Sequence, residues 1–516
     1  MTETEGSSAD LEPAQEPRPA WSRWDWIALT CVTLIALVLR FVRLGEPDDL
    51  VFDETYYAKD SCWYVNASSS LCDTTSEVSQ VHPPLGKWLI AIGIRLFGYD
   101  SYGWRVSVAV AGTIGVLLLY LLARKLLNST LGATIASGLL AIDLLHFVQS
   151  RTSMLDIFVP TFGVAALLFL VYDRDRLLEG RVGRGGILDR PWRVAAGAAA
   201  GAATASKWTG GLYLLFVIAL TIAWEVSARK EAAQTAESDE DKHPRPWLRF
   251  LREESASVAV WLIILPLVVY SFTYIGRLEW SEGTWYKAML DRHEYMLDFH
   301  SELESHHSYE SPAWSWIALK RPVSYFFCSG DQCTPNEEPE IYREIIATGN
   351  PFVWWPSVLA LLYAAWQWFR RRSFRFPEGL IVGGFITTYL VWLLLQAGTG
   401  RAATFIFYLL PAIPFMCLAL AYVAIRIGRS WEAIAAISLF SAGAVVLFAF
   451  YYPILTQAPI PKSDWDRRIW IFNDCDAGPG IETTTTVTET VGKKTTVHPT
   501  VTTTTESIPP PGWCWI

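Results

Sequence analysis

The segment LVFDETYYAKD, residues 50–60, sets two carboxylates side by side, Asp53 and Glu54. Phe52 precedes them, Tyr56 and Tyr57 follow, and Arg40 and Arg43 lie just upstream. A carboxylate in such a setting is suited to take a proton from a hydroxyl. Burial beside aromatic rings raises its pKa and nearby arginines lower it, so the sequence leaves that balance open. Acidic pairs are common in surface loops; the neighbours are what make this one a candidate.

Other ionisable residues fall at the ends of apolar runs and on the same side: Arg40, Arg105, Asp143, His146, Arg151, Asp156, Lys207 and Arg401. Charge inside a membrane is costly and marks function by default. Snorkelling accounts for a single Arg or Lys, but Asp is too short for it. The mixed signs predict a polar cavity open to one face of the bilayer. Residues 81–98, VHPPLGKWLIAIGIRLFG, begin with His82 and a Pro pair and are too short to span comfortably. They predict a helix lying at the interface, with Lys87 and Trp88 at headgroup level. His293, His300, His306 and His307 cluster in one loop without HExxH spacing, which favours a polar loop helix over a metal centre. No site residue is assigned to a metal, although a divalent cation is compatible with the chemistry. Neither a P-loop nor a GxGxxG after a strand is present, so nucleotide chemistry within the chain is not expected.

The elements that position these groups are apolar runs of about 20 residues, the length that crosses about 30 Å of hydrocarbon. Eleven are expected, near 26–44, 104–124, 131–148, 154–172, 192–206, 208–227, 256–276, 351–369, 378–396, 401–425 and 431–451. The fifth is short and rich in Ala and Gly, as close helix packing requires. Lys and Arg collect in one set of short loops: Arg124 and Lys125, Arg174 to Arg184, Arg229 and Lys230, Arg370 to Arg372, Arg426 and Arg429. That bias predicts those loops, and the tail 1–25, to be cytoplasmic. The opposite side receives segments 45–103, 277–350 and the tail 452–516. Six of the eight cysteines fall there, two per segment, and none falls in a cytoplasmic loop. Disulfides persist outside the cytosol, so local pairs Cys62–Cys72, Cys328–Cys333 and Cys475–Cys514 are the simplest expectation. The last tail alternates Thr with Val around Gly492, which predicts a β-hairpin; its Thr-rich composition also resembles that of O-glycosylated stalks.

Composition agrees with a membrane-embedded chain. In 516 residues only 18% are charged and 25 are Trp, with mean hydropathy +0.24. A soluble chain carries about 25% charge, and abundant Trp suits interfacial belts. The net charge of −9 excludes a general nucleic-acid binder.

Taken in order, the motifs resemble a known family. Arg40-x2-Arg43-Leu44 with FDETYYAKD (52–60), HPPLGK (82–87), Asp143-x5-Gln-Ser-Arg-x3-Leu-Asp (143–156), SKWTG (206–210) and GRAATFIFYLLPAIPF (400–415) are similar to those of the dolichyl/polyprenyl-phosphate-mannose–protein mannosyltransferases, in the bacterial form. The resemblance implies an all-α polytopic membrane protein of GT-C type, with catalytic domain 26–451 and about eleven spans. It implies transfer of mannose from polyprenyl-phosphate-mannose to Ser or Thr of exported proteins, with inversion at the anomeric carbon and no required cofactor. Asp53 would be the base and Glu54 its partner at the sugar. Arg40, Arg105 and Lys207 would stand near the lipid phosphate, joined by Arg151 and Asp156 from the turn between spans three and four. His82 and Lys87 would carry the interfacial motif. Membrane lipids and the Sec translocon are the further partners in view. The alternatives are another GT-C transferase acting on a glycan or lipid, and a transporter. The latter is disfavoured because charges sit at one face and no internal repeat is found.

Overall fold

The computed structural model describes residues 20–65, 72, 79–183, 186–235, 245–275, 284–301, 307–330, 333, 340–371, 373, 375–399, 404–428, 430–469, parts of 481–506, and 514. Arg401, His306 and Cys475 lie outside the described residues.

Helix α1 (Arg23–Phe41) starts at a capping box in which the Ser22 hydroxyl and the Asp25 carboxylate each accept the other residue's main-chain N–H. Asp25 then pairs with Arg124 at 2.5 Å and accepts from Thr130. That ties the start of α1 to the end of α4 (Ser101–Leu127) and the start of α5 (Thr130–Ala141). Between α1 and α4 lie two shorter helices, α2 (Glu54–Val65) and α3 (Leu85–Phe97). The expected third span is broken at Ile142. Asp143 caps a separate short helix, α6 (Leu144–Gln149), accepting from the main-chain N–H of His146 at 3.0 Å. The fourth expected span begins four residues late, as α7 (Phe158–Leu178).

The Ala/Gly-rich helix α8 (Pro191–Ser206) ends at Lys207, whose extended backbone separates it from α9 (Gly211–Thr235). Helices α10 (Pro246–Ala259) and α11 (Leu265–Phe272) join through a π-turn at Val260–Ile264, just before Pro266. Proline supplies no N–H to the ladder, and the widened turn absorbs the break. Here small residues matter: a Cβ on Gly197 would stand 1.8 Å from the Trp261 carbonyl oxygen. At this end of the bundle Arg190, Arg193 and Arg229 interlock with Asp173, Glu225 and Glu254, all buried, and clamp α7 to α10.

Helix α12 (Trp285–Ser301) lies outside the bundle and is followed by strands β1 (Val323–Ser329) and β2 (Ile341–Ala347). The all-α expectation is corrected here. β1, β2 and β3 (Ile460–Pro461) form an antiparallel sheet, in strand order 1-2-3. Aromatic and β-branched residues favour strand, and Cys328–Cys333 closes the loop after β1. Cys62–Cys72 is likewise formed, and Cys514 is disulfide-bonded. Helices α13 (Pro351–Arg371), α14 (Glu378–Thr399), α15 (Ile413–Ala424) and α16 (Trp431–Leu455) complete the bundle, with a short α17 (Lys462–Asp466) after β3. In the tail, β4 (Ile481–Thr483) pairs antiparallel with β7 (Thr504–Glu506), and β5 (Thr486–Val491) with β6 (Lys494–Pro499); Gly492 lies outside the described residues.

Seven helical segments among the described residues are long and apolar enough to cross a membrane: α1, α4, α9, α10–α11, α14, α15 with its preceding 3-10 turn, and α16. The other four expected spans are helical as well, but shorter, more charged or, in α13 with its several Trp and Pro, less apolar.

Candidate active site

The loop from α1 to α2 is fixed by one buried hub. Glu54 accepts from both sides of the Arg105 guanidinium, Nε and Nη2 each at 2.8 Å. It also accepts from the main-chain N–H groups of Val51 and Ser153 and from Trp104 Nε1. Arg105 spends its remaining donors on the carbonyls of Leu44, Pro47 and Asp49. All five of its N–H groups are therefore engaged. Both carboxylate oxygens of Glu54 and every N–H of Arg105 are thus engaged within the protein, at positions where the resemblance implied contacts to the sugar and the lipid phosphate.

Arg151 is committed in the same way, donating to the carbonyls of Leu39, Arg40, Val42 and Arg43. It thereby satisfies the open carbonyls at the end of α1, where Arg43 turns to φ 56°. Arg40 is fully buried, donating to the Ala36 and Ala141 carbonyls and meeting His146 Nδ1 at 2.9 Å. Asp143 accepts from Trp354 Nε1 and joins α6 to α13. Each of these side chains is thus tied to the bundle, and the buried Arg40 Nε keeps no hydrogen-bond partner among the described residues. The one-sided set of charges read from the sequence is mostly a set of braces.

Three of the expected residues do converge. Lys207 Nζ stands 2.9 and 2.8 Å from the two oxygens of Asp156, and both interact electrostatically with Asp53. Burial pushes the Asp53 carboxyl up to about 6, with Asp156 adding to the rise; Lys207 and a hydrogen bond with Tyr57 oppose it. Phe52, at φ 49°, holds a left-handed backbone that costs a non-glycine residue about 1–2 kcal/mol. Its ring is stacked on Tyr325 at 4.5 Å and edge-on to Phe407.

A cavity of about 220 Å³ opens beside Lys207, lined by His82, Trp208, His300, Trp392 and Tyr408, with Leu212, Val391 and Leu395 on its apolar side. His82 lies against Tyr57 and His300, and Lys207 sits over the Tyr408 ring at 5.4 Å. Lys87 is elsewhere. It is buried against Asp60 at 3.0 Å, and it also donates to the Ser79 carbonyl. The pair locks α3 onto α2 and so holds the end of the loop that carries Asp53. Removing one partner of a buried pair strands the other, at about 3–5 kcal/mol. Lys87→Ala is therefore expected to lower thermal stability and membrane yield sharply. The double variant Lys87→Met/Asp60→Leu should recover most of the loss, as read by thermal unfolding in detergent.

Three family models match the chain. Models described as dolichyl-phosphate-mannose-protein mannosyltransferase cover residues 30–104 and 81–236, and the C-terminal four-transmembrane region of protein-O-mannosyltransferase covers 285–473. Polyprenol-phosphate-mannose–protein mannosyltransferase of Mycolicibacterium smegmatis is 32% identical over 91% of this chain and 98% of its own. The chain belongs to the protein O-mannosyltransferase family. The corresponding Mycobacterium tuberculosis protein is 31% identical over 90% of this chain and 95% of its own. In fold, this family member is similar to the Saccharomyces cerevisiae Pmt1–Pmt2 complex bound to the sugar donor, with TM-score 0.69 at 14% identity. The match covers 88% of this chain and 93% of that one. It is thus a multi-pass membrane protein with a GT-C-like fold.

Some residues at the site went unread in the sequence. Tyr325 falls where the β1–β2 register shifts between Ser324 and Phe326, and bulges commonly re-aim a side chain toward a site. Its hydroxyl accepts from Gln149 Nε2 at 2.6 Å and is close enough to Asp53 and Asp156 to feel both charges. No local motif marks Tyr325. Tyr408 lies within the FIFYLLPAIPF segment, and His300 within the His-rich loop, which was the available signal for each.

Proposed function

We propose that the cavity beside Lys207 receives the mannosyl phosphate of the donor and that Asp53 is the base for the acceptor hydroxyl. As a family member, the chain is a protein O-mannosyltransferase using polyprenyl-phosphate-mannose. What supports the assignment is the electrostatic grouping of Asp53 with the Lys207–Asp156 pair, of which Lys207 lines the cavity, while Glu54, Arg105 and Arg151 are held by hydrogen bonds within the bundle.

The chemistry is a single displacement. Asp53 takes the proton of a Ser or Thr hydroxyl as its oxygen forms a bond to the anomeric carbon. The bond from that carbon to the phosphate oxygen breaks, and polyprenyl phosphate leaves with its new charge against Lys207. Entry from opposite faces inverts the anomeric centre, and no protein nucleophile is needed. Asp156 holds Lys207 in place between turnovers. Glu54, Arg105 and Arg151 act as positioning residues for the Asp53 loop. Leu212, Val391 and Leu395 give the prenyl chain an apolar exit between α9 and α14.

The topology that fits is eleven spans with the N-terminal tail cytoplasmic and Asp53 extracytoplasmic, so that acceptors are exported proteins. The Lys/Arg bias supports it. So do the two disulfides on the Asp53 side, with Cys31 and Cys417 left as thiols in helices. The test supplies membranes with radiolabelled polyprenyl-phosphate-mannose and a Thr-rich peptide. Label on the peptide is expected; label confined to lipid or polysaccharide defeats the reading.

A further inference from the structure

A second, larger opening shares no lining residue with the Lys207 cavity. A groove of about 980 Å³ runs between α3, α4, α7 and α8. Along α4 it reaches from Tyr102 to Leu118, about 24 Å at 1.5 Å per residue. That length accommodates an acyl chain within one leaflet of a 30 Å hydrocarbon core. The α8 wall consists of alanines, which keep the groove deep. The hydroxyls of Ser107 and Thr161 in the wall turn back to main-chain carbonyls, of Leu89 and of Ala111 and Ile157.

Ile92 and Leu96 form a ridge shared with a second hollow of about 480 Å³, lined by Trp88 and Arg95. Arg95 is exposed and has no acidic partner among the described residues. Trp88 Nε1 is buried without a hydrogen-bond partner. Two donors at the rim of an apolar groove, on a helix of interfacial character, fit an anionic headgroup with its chain below.

We propose that these two hollows together bind one membrane phospholipid with an anionic headgroup, its phosphate at Arg95 and Trp88 and a chain in the groove. The donor is not the occupant. Gly86 packs so closely that an added Cβ would stand 2.8 Å from Leu155 Cδ2 and 3.5 Å from the Ser206 carbonyl. That close packing of α3 beside the end of α8 lies next to Lys207, and the groove shares no lining residue with the Lys207 cavity. The bound lipid braces α3, whose opposite end carries Lys87 against Asp60 and so supports α2 and Asp53.

The full-length protein, purified in mild detergent and exchanged into nanodiscs of mixed phosphatidylglycerol and phosphatidylcholine, provides the test by native mass spectrometry. One retained phospholipid per chain is expected, enriched in phosphatidylglycerol. Arg95→Gln, at an exposed position, should reduce that enrichment about tenfold, the scale of one charge-assisted hydrogen bond. Ala199→Phe should fill the groove and release the lipid. No retained phospholipid, equal retention of both headgroups, or retention unchanged in Arg95→Gln overturns the proposal. So does a retained species that proves to be polyprenyl phosphate, which would make the groove the donor's.

Discussion

Asp53→Asn is expected to remove most mannosyl transfer, about 10² to 10⁴-fold, the usual worth of a general base. The change keeps size and polarity, and it leaves the Glu54–Arg105 hub intact, so the protein should stay folded and inserted. The sign of the stability effect follows from linkage. Burial raises the Asp53 carboxyl to about 6 in the folded state, above its ordinary 3.8. A raised carboxyl contributes stability that is fully present below pH 3.8 and is lost as pH rises through about 6. At pH 7 the ionised carboxylate therefore no longer contributes, and the neutral amide should leave the melting temperature unchanged or slightly higher. Activity runs the other way, because only the ionised form accepts a proton. Wild-type kcat/KM should fall on an acid limb near pH 6, measured with a peptide acceptor. Wild-type transfer by a well-folded Asp53→Asn protein would move the base to Asp156.

The sequence carried the helices well and their roles less well. Apolar runs near 20 residues mark most of the bundle because hydrocarbon thickness dictates their length. The break before α6 was hidden, since Asp143 reads as a membrane charge until its cap on α6 and its tie to Trp354 are seen. Strands β1 and β2 were hidden too, lying in a loop where hydropathy carries no register. Among candidate site residues, the motifs singled out Asp53, Asp156 and Lys207, which the structure brings together. Glu54, Arg105 and Arg151 carried the same motifs but opposite consequences, because much of what decides their role is main-chain carbonyls and N–H groups from distant turns. A motif names side chains; it does not name the backbone atoms that occupy them. Lys87 shows the same limit, its partner Asp60 being set by how α2 folds back on α3.

Lys207 and Asp156 can be separated from each other by the direction in which each moves the acid limb. Lys207→Gln removes the cation facing the leaving phosphate, and loss of one such charge-stabilising donor costs about 10²–10³-fold in kcat. It also removes the influence that lowers the Asp53 carboxyl, leaving burial and Asp156 to raise it. Its residual activity should therefore show an acid limb at higher pH than wild type. Asp156→Asn removes a like charge from beside Asp53, so its limb should move to lower pH. It also leaves Lys207 without its anchoring oxygens, and a loosely held ammonium is a poorer partner for the phosphate in the transition state. A moderate loss of kcat with a limb displaced downward is the expected pattern for Asp156→Asn. The contrast distinguishes the assigned roles from a purely structural pair. A buried pair that only held the fold would lower stability in both variants and shift the limb in neither. Full pH profiles of the two variants beside wild type, with thermal unfolding of each, decide between these outcomes. Shifts in the same direction would refute the placement of Lys207 and Asp156 on opposite sides of the Asp53 balance.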